Sequence, residues 1–87
     1  MKAVTAEREK IMNKERRKRI EKVGAMLEEL LEEITALQEE EQEAYENLPE
    51  SLQNSERGEA MYEASDNLES AVSSVEEAIE YLNDAIE

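Results

Sequence analysis

Any catalysis here would have to be built from carboxylates, hydroxyls and amines, because the chain contains no Cys and no His. Without an imidazole, a serine nucleophile has only lysine to serve as its base. The serines stand at Ser51, Ser55, Ser65, Ser70, Ser73 and Ser74, and the lysines lie within the first 22 residues. In an antiparallel pair of helices the two sets stay apart. Glu28, Glu29, Glu32 and Glu33 form a dense carboxylate cluster. A dinuclear metal site in a helical bundle would pair such glutamates with Glu-x-x-His, which this chain cannot supply. A calcium loop needs a glycine and alternating oxygen ligands, both missing from the run DNLESAVSSVEE. Nor does anything mark a concave pocket that would tune a carboxylate pair. The sequence reads as non-enzymatic, with no catalytic residue, cofactor or metal ligand, and with the glutamate cluster as a solvated face.

Charge is distributed unevenly. Residues 1–22 hold nine of the ten basic residues, among them the cluster Lys14, Arg16, Arg17, Lys18, Arg19 and Lys22, against four glutamates. Residues 23–87 hold twenty carboxylates and a single base, Arg57, for a net charge of −19. A basic helical segment followed by heptads is the order found in basic-region dimerisers. The run Glu15-Arg16-Arg17-Lys18-Arg19 is similar to the basic stretch of basic helix–loop–helix proteins, over five residues only. The acidic remainder would repel phosphate, so direct nucleic-acid binding through the basic cluster is disfavoured. The segment also lacks the apolar face a membrane-surface helix needs, and no run approaches the ~20 apolar residues of a membrane span. MKAVTAEREKIM lacks the apolar core of a secretory signal, so a soluble, cytoplasmic protein is expected.

The elements that carry these charges follow from apolar spacing. Ile20, Val23, Leu27, Leu30, Ile34 and Leu37 alternate at intervals of three and four, the pattern of a heptad seam. Met26 and Leu31 flank it and widen the face enough for more than one neighbour. The predicted first helix spans about residues 6–46, capped by Thr5. Asn47 to Ser55 is the break: Pro49 cannot continue a helix and suits the first position of a new turn. Asn54 or Ser55 is the predicted cap of a second helix over about 56–87. Leu48 and Leu52 are expected to fold inward and plug the corner. In the second helix the stripe is Leu68, Val72, Val75, Ile79, Leu82 and Ile86, beside a row of alanines at 64, 71, 78 and 85.

So short a connection makes the helices antiparallel neighbours. The predicted fold is all-α: one domain, a two-helix hairpin of coiled-coil type over residues 1–87. Folding about Ser51 sets Ile86 opposite Arg16 and brings the basic cluster beside the negative C-terminal end of the second helix. Two helices bury little apolar surface in a chain of 87 residues without Phe or Trp. A homodimeric four-helix bundle is the expected assembly, with a partner protein as the alternative cover for the remaining apolar positions.

The stretch ENLPESLQNSERGE (Glu46 to Glu59), followed by the A-x-D/N-x-L-E-x-A pattern through Asn67, Leu68, Glu69 and Ala71, resembles a group of short acidic helical-hairpin proteins from phages and mobile elements of Gram-positive bacteria. The likeness covers roughly half the chain. It implies a fold and a phage or mobile-element origin, with the bacterial host cytoplasm as the expected location of a phage-encoded protein, and it carries over no functional residue. Small acidic phage proteins include inhibitors of host nucleases and defence systems, among them anti-CRISPR and anti-restriction proteins that act as nucleic-acid mimics.

Charge density makes mimicry physically reasonable. Duplex DNA carries one charge per ~1.7 Å, and a net −19 on a hairpin ~45 Å long places roughly one per 2.4 Å. The same acidic face would also follow from solubility alone. The expected function is an acidic helical interaction protein that inhibits or regulates a host protein through a basic surface. Its partner-binding candidates are Glu28, Glu29, Glu32, Glu33, Glu39, Glu40, Glu43 and Glu50. The alternative is an assembly coiled coil whose only role is to pair helices.

Overall fold

The computed structural model describes residues 13–87. They form a helical hairpin: a long α1 (Lys14–Glu46), a single turn α2 (Glu50–Gln53) in the connection, and a long α3 (Glu56–Ala85) packed against α1. α1 begins where Asn13 takes an extended conformation and its side chain accepts the Arg16 N–H at 2.7 Å, satisfying a donor that the first turn leaves free. The expected stretch of helix from about residue 6 to residue 12 and its cap Thr5 lie outside the described residues. Two observations fix the register. Gln38 Nε2 lies 3.5 Å from Ser65 Oγ, and Leu82 shares a shallow groove with Arg16, Arg19, Ile20 and Val23. The first pair is centred between Ser51 and Leu52, in line with the fold about Ser51 read from the sequence.

The line of contact on α1 is not the expected one. Its covered positions are Arg17, Ile20, Gly24, Leu27, Leu31, Ile34, Thr35, Gln38, Glu41 and Tyr45, and the line runs on to Leu48 in the connection. That stripe keeps Ile20, Leu27 and Ile34 from the predicted seam and moves Leu31 from its flank to its centre. Val23, Leu30 and Leu37 fall outside it, with 47%, 50% and 53% of their surface exposed, and Met26 has 54%. The cause is geometric. At 3.6 residues per turn Met26, Leu30 and Leu37 point roughly 90° away from α3, beyond the reach of a lone neighbouring helix, while Val23 sits at the near edge of their stripe and borders the Leu82 groove. On α3 the predicted stripe holds: Leu68, Val72, Val75, Ile79, Leu82 and Ile86 are all part-covered, as are Ala64, Ala71 and Ala78, while Ala85 is exposed. Among the described residues no apolar side chain is fully buried.

The corner also departs from expectation. Pro49 caps α2 rather than opening it, and its carbonyl accepts the N–H groups of Leu52 and Gln53 at 2.8 and 3.2 Å. Leu48 turns partly inward, but Leu52 is exposed and plugs nothing. Gln53 fills that role instead. Its amide donates to the carbonyls of Tyr45 and Leu48 at 3.3 and 3.2 Å, tying up acceptors at the end of α1. Of the two candidate caps for α3, Ser55 serves: its hydroxyl oxygen accepts the Gly58 N–H at 3.2 Å. Gly58 is buried against this turn, and a Cβ there would collide with the carbonyl oxygens of Gln53 and Leu52.

The two glycines should therefore answer oppositely to alanine. At Gly24 an added Cβ meets nothing within 4 Å, so Gly24→Ala is expected to stabilise by about 1 kcal/mol through helix propensity. Gly58→Ala must push backbone apart and is expected to cost about 1–3 kcal/mol. Thermal melts followed by circular dichroism give both signs.

Candidate interaction surface

Three surfaces emerge on α1, separated by the angular spacing of the helix. One faces α3. A second, ~90° around from it, is the open apolar stripe of Val23, Met26, Leu30 and Leu37. The third faces away from both and carries Glu28, Glu32, Glu39 and Glu43, with Glu29 and Glu40 on the side nearer the apolar stripe. All the predicted partner-binding carboxylates, Glu28, Glu29, Glu32, Glu33, Glu39, Glu40, Glu43 and Glu50, are exposed. They do not form one patch. Glu33 sits on the rim of the apolar stripe, and Glu50 belongs to α2 at the corner. The outward row from Glu28 to Glu43 spans about 22 Å at 1.5 Å per residue. Beyond Lys22 the only basic residue is Arg57, so this row is uncompensated by charge along its own helix.

The basic cluster divides as well. Lys14, Arg16, Lys18, Arg19 and Lys22 are exposed, but Arg17 is half-covered on the side that faces α3. Arg16 and Arg19 border the groove at Leu82, three residues before the end of α3. The last turn of α3 contains no basic residue of its own, so cations from α1 stand in for the favourable charge a helix C-terminus attracts.

Near the corner a polar corridor crosses the hairpin. Gln38 donates to Gln42 Oε1 at 2.9 Å and Gln42 donates to Glu46 Oε2 at 3.3 Å, each one turn further along α1. Tyr45 and Tyr62 meet edge to face, with ring centroids 5.6 Å apart, and with Ser65, Asp66 and Glu69 they border a shallow open depression. Neither tyrosine figured among the sequence candidates; their one signal was that Tyr45 continues the Ile34–Gln38–Glu41 stripe. The depression is open to water and holds no paired, buried titratable groups of the kind that general acid–base chemistry requires. Among the described residues no group of three or more Asp and Glu side chains is placed to hold a metal ion, and no helix is long and apolar enough to cross a membrane.

Set against known proteins, the chain matches no family model, no curated protein and no solved structure. Its function has to be read from surface chemistry.

The division of the basic cluster has a measurable consequence. Arg17→Ala should lower stability by about 1 kcal/mol through lost packing of its stem and lost charge near the end of α3. Lys18→Ala, fully on the surface, should stay within about 0.5 kcal/mol of the parent. Urea unfolding of the two variants at low and high salt separates the contributions, since only the charge part is screened.

Proposed function

We propose that this chain is a non-enzymatic, homodimeric helical interaction protein that docks its acidic face on a basic surface of a partner protein and so inhibits or regulates it. The observation that carries this reading is the outward row of Glu28, Glu32, Glu39 and Glu43, held on a rigid helix, pointing away from α3, with no cation after Lys22 on that helix. A fixed line of carboxylates attracts a basic groove over long range, and the net −19 of residues 23–87 as a whole gives the hairpin a charge density approaching that of a nucleic acid. A partner that normally holds DNA or RNA is therefore the class that fits, and nucleic-acid mimicry is the mechanism. The resemblance of the corner sequence to phage and mobile-element hairpins supports a bacterial host cytoplasm and a host defence or nucleic-acid-binding protein as the setting.

A second reading is favoured by a different observation. The exposed apolar stripe on α1 would suit an assembly protein whose role ends with pairing helices. The two readings part on charge. Reversing Glu32, Glu39 and Glu43 to Lys leaves both apolar faces of α1 untouched, so helicity and assembly should persist. Under the first reading the triple variant loses a partner that the parent retains in affinity capture from a bacterial lysate, and the parent loses it at high salt. A partner held equally by parent and triple variant, or held through high salt, would reject electrostatic docking.

A further inference from the structure

We infer that the homodimer forms by antiparallel pairing of two α1 helices through Val23, Met26, Leu30 and Leu37, about a two-fold axis beside Leu30. The inference rests on the dimeric state in the reading above, and is independent of which partner the acidic face engages. Its first support is the distribution of uncovered apolar surface. Of the large hydrophobic side chains left exposed, four lie on one stripe of α1, whereas α3 contributes only Tyr62 and Tyr81. Among the described residues α1 therefore has two apolar faces and one long helix, α3, to cover them. Val23, Met26 and Leu30 keep the three-and-four spacing that fits one helix against another, and Leu37 follows one heptad after Leu30, with Glu33 at the position between.

Charge decides what covers that stripe and in which direction. Residues 14–22 of α1 contain six cations and two glutamates, a net of +4, and residues 38–46 contain five glutamates and no cation, a net of −5. Leu30 is the midpoint between these segments. An antiparallel copy turned about Leu30 lays the +4 segment of each chain along the −5 segment of the other, twice per dimer. Val23 then lies level with Leu37 of the second copy, Arg19 with Glu41, and Lys22 close to Glu40, while Glu33 stays at the rim in water. A parallel pair would stack +4 on +4 and −5 on −5. The helix is thus self-complementary under a two-fold operation, as an isologous interface requires. The same charges disfavour the parallel alternative, as flanking charges do in coiled coils. The six cations of residues 14–22 thereby acquire a second role: they select the orientation of the partner helix.

The full chain has no Cys, so engineered thiols report the pairing directly. Sedimentation equilibrium at micromolar concentration should give a dimer that weakens as salt rises. Leu30→Glu should give a monomer of preserved helicity, because Leu30 is outside the α1–α3 contact; Arg19→Glu should weaken the dimer, and Arg19→Glu with Glu41→Arg in the same chain should restore it. When Val23→Cys chains are mixed with Leu37→Cys chains and oxidised, the mixed disulfide should exceed either symmetric one. A monomeric parent overturns the dimer itself. A parent dimer that survives Leu30→Glu, or whose Val23→Cys chains link chiefly to one another, overturns this interface alone and leaves the acidic docking face to be judged by the Glu32, Glu39 and Glu43 reversal.

Discussion

Two helices in contact share a single line, and each can hide only one stripe of its surface along it. That limit governs this molecule. α3 is built to the limit: its large apolar residues recur on one stripe, from Met61 through Ile86, and the rest of its surface carries no large apolar side chain apart from Tyr62 and Tyr81. α1 exceeds it, with apolar residues on two stripes ~90° apart. The excess cannot be relieved inside the hairpin, since the connection holds α3 against one side only. Part-coverage of every seam residue is the energetic result. Each contributes a fraction of the roughly 1.5–3 kcal/mol that full burial of a large apolar side chain gives, which is little for a chain that must also order two helices of 33 and 30 residues. Stability and the proposed association are therefore not separable here: the stripe that leaves the hairpin short of a core is the one through which it is proposed to pair.

This limit also explains which parts of the fold could be read from the sequence. Helix existence, antiparallel order, the proline-marked corner and the register about Ser51 all follow from local rules: spacing, caps and loop length. The seam of α1 does not. Two heptad readings share Ile20, Leu27 and Ile34. One continues through Val23, Leu30 and Leu37, the other through Gly24, Leu31 and Gln38. Hydrophobicity selects the first, because a glycine and a glutamine do not look like core positions. The structure takes the second for contact with α3: Gly24 is covered along it and Gln38 meets Ser65. Both stripes are real. What the residues alone could not convey is which one faces the neighbour in the same chain, because that is set by where the corner delivers α3.

The corner was legible in its breakers but not in its packing. Pro49 and Ser55 act through their own backbone and side chain, so their roles show in their identity. Leu48 and Leu52 looked alike as apolar plugs, yet α2 gives them opposite directions, and Leu52 is left in water. Gln53 and Gly58 do the closing, and both roles depend on non-local geometry. An amide is useful at position 53 because the carbonyls of Tyr45 and Leu48 lie within its reach. Gly58 is required because the carbonyl oxygens of Leu52 and Gln53 occupy the space a Cβ would need. A glycine two residues into a helix ordinarily signals only lost propensity; here it is the condition for a turn this tight.

The candidate surface has a similar split between what is visible in composition and what needs the fold. Composition reveals an acidic body and a basic head, but not that the body's carboxylates occupy separate azimuths of α1. Glu28, Glu32, Glu39 and Glu43 point away from every apolar surface, whereas Glu40 and Glu41 flank the open stripe, where they would meet a second copy. The two groups have different physics. Outward carboxylates stay hydrated until a partner approaches, so they act through long-range attraction that salt screens within ~10 Å. Flanking carboxylates lie beside an apolar contact, where exclusion of water strengthens each charge pair and like charges become costly. A single excess of negative charge can in this way do two things at once: choose the direction in which two chains pair, and leave a continuous anionic face on the outside of the pair. In the proposed antiparallel pair the basic head would be consumed in the first task, leaving the second without cations to cancel it.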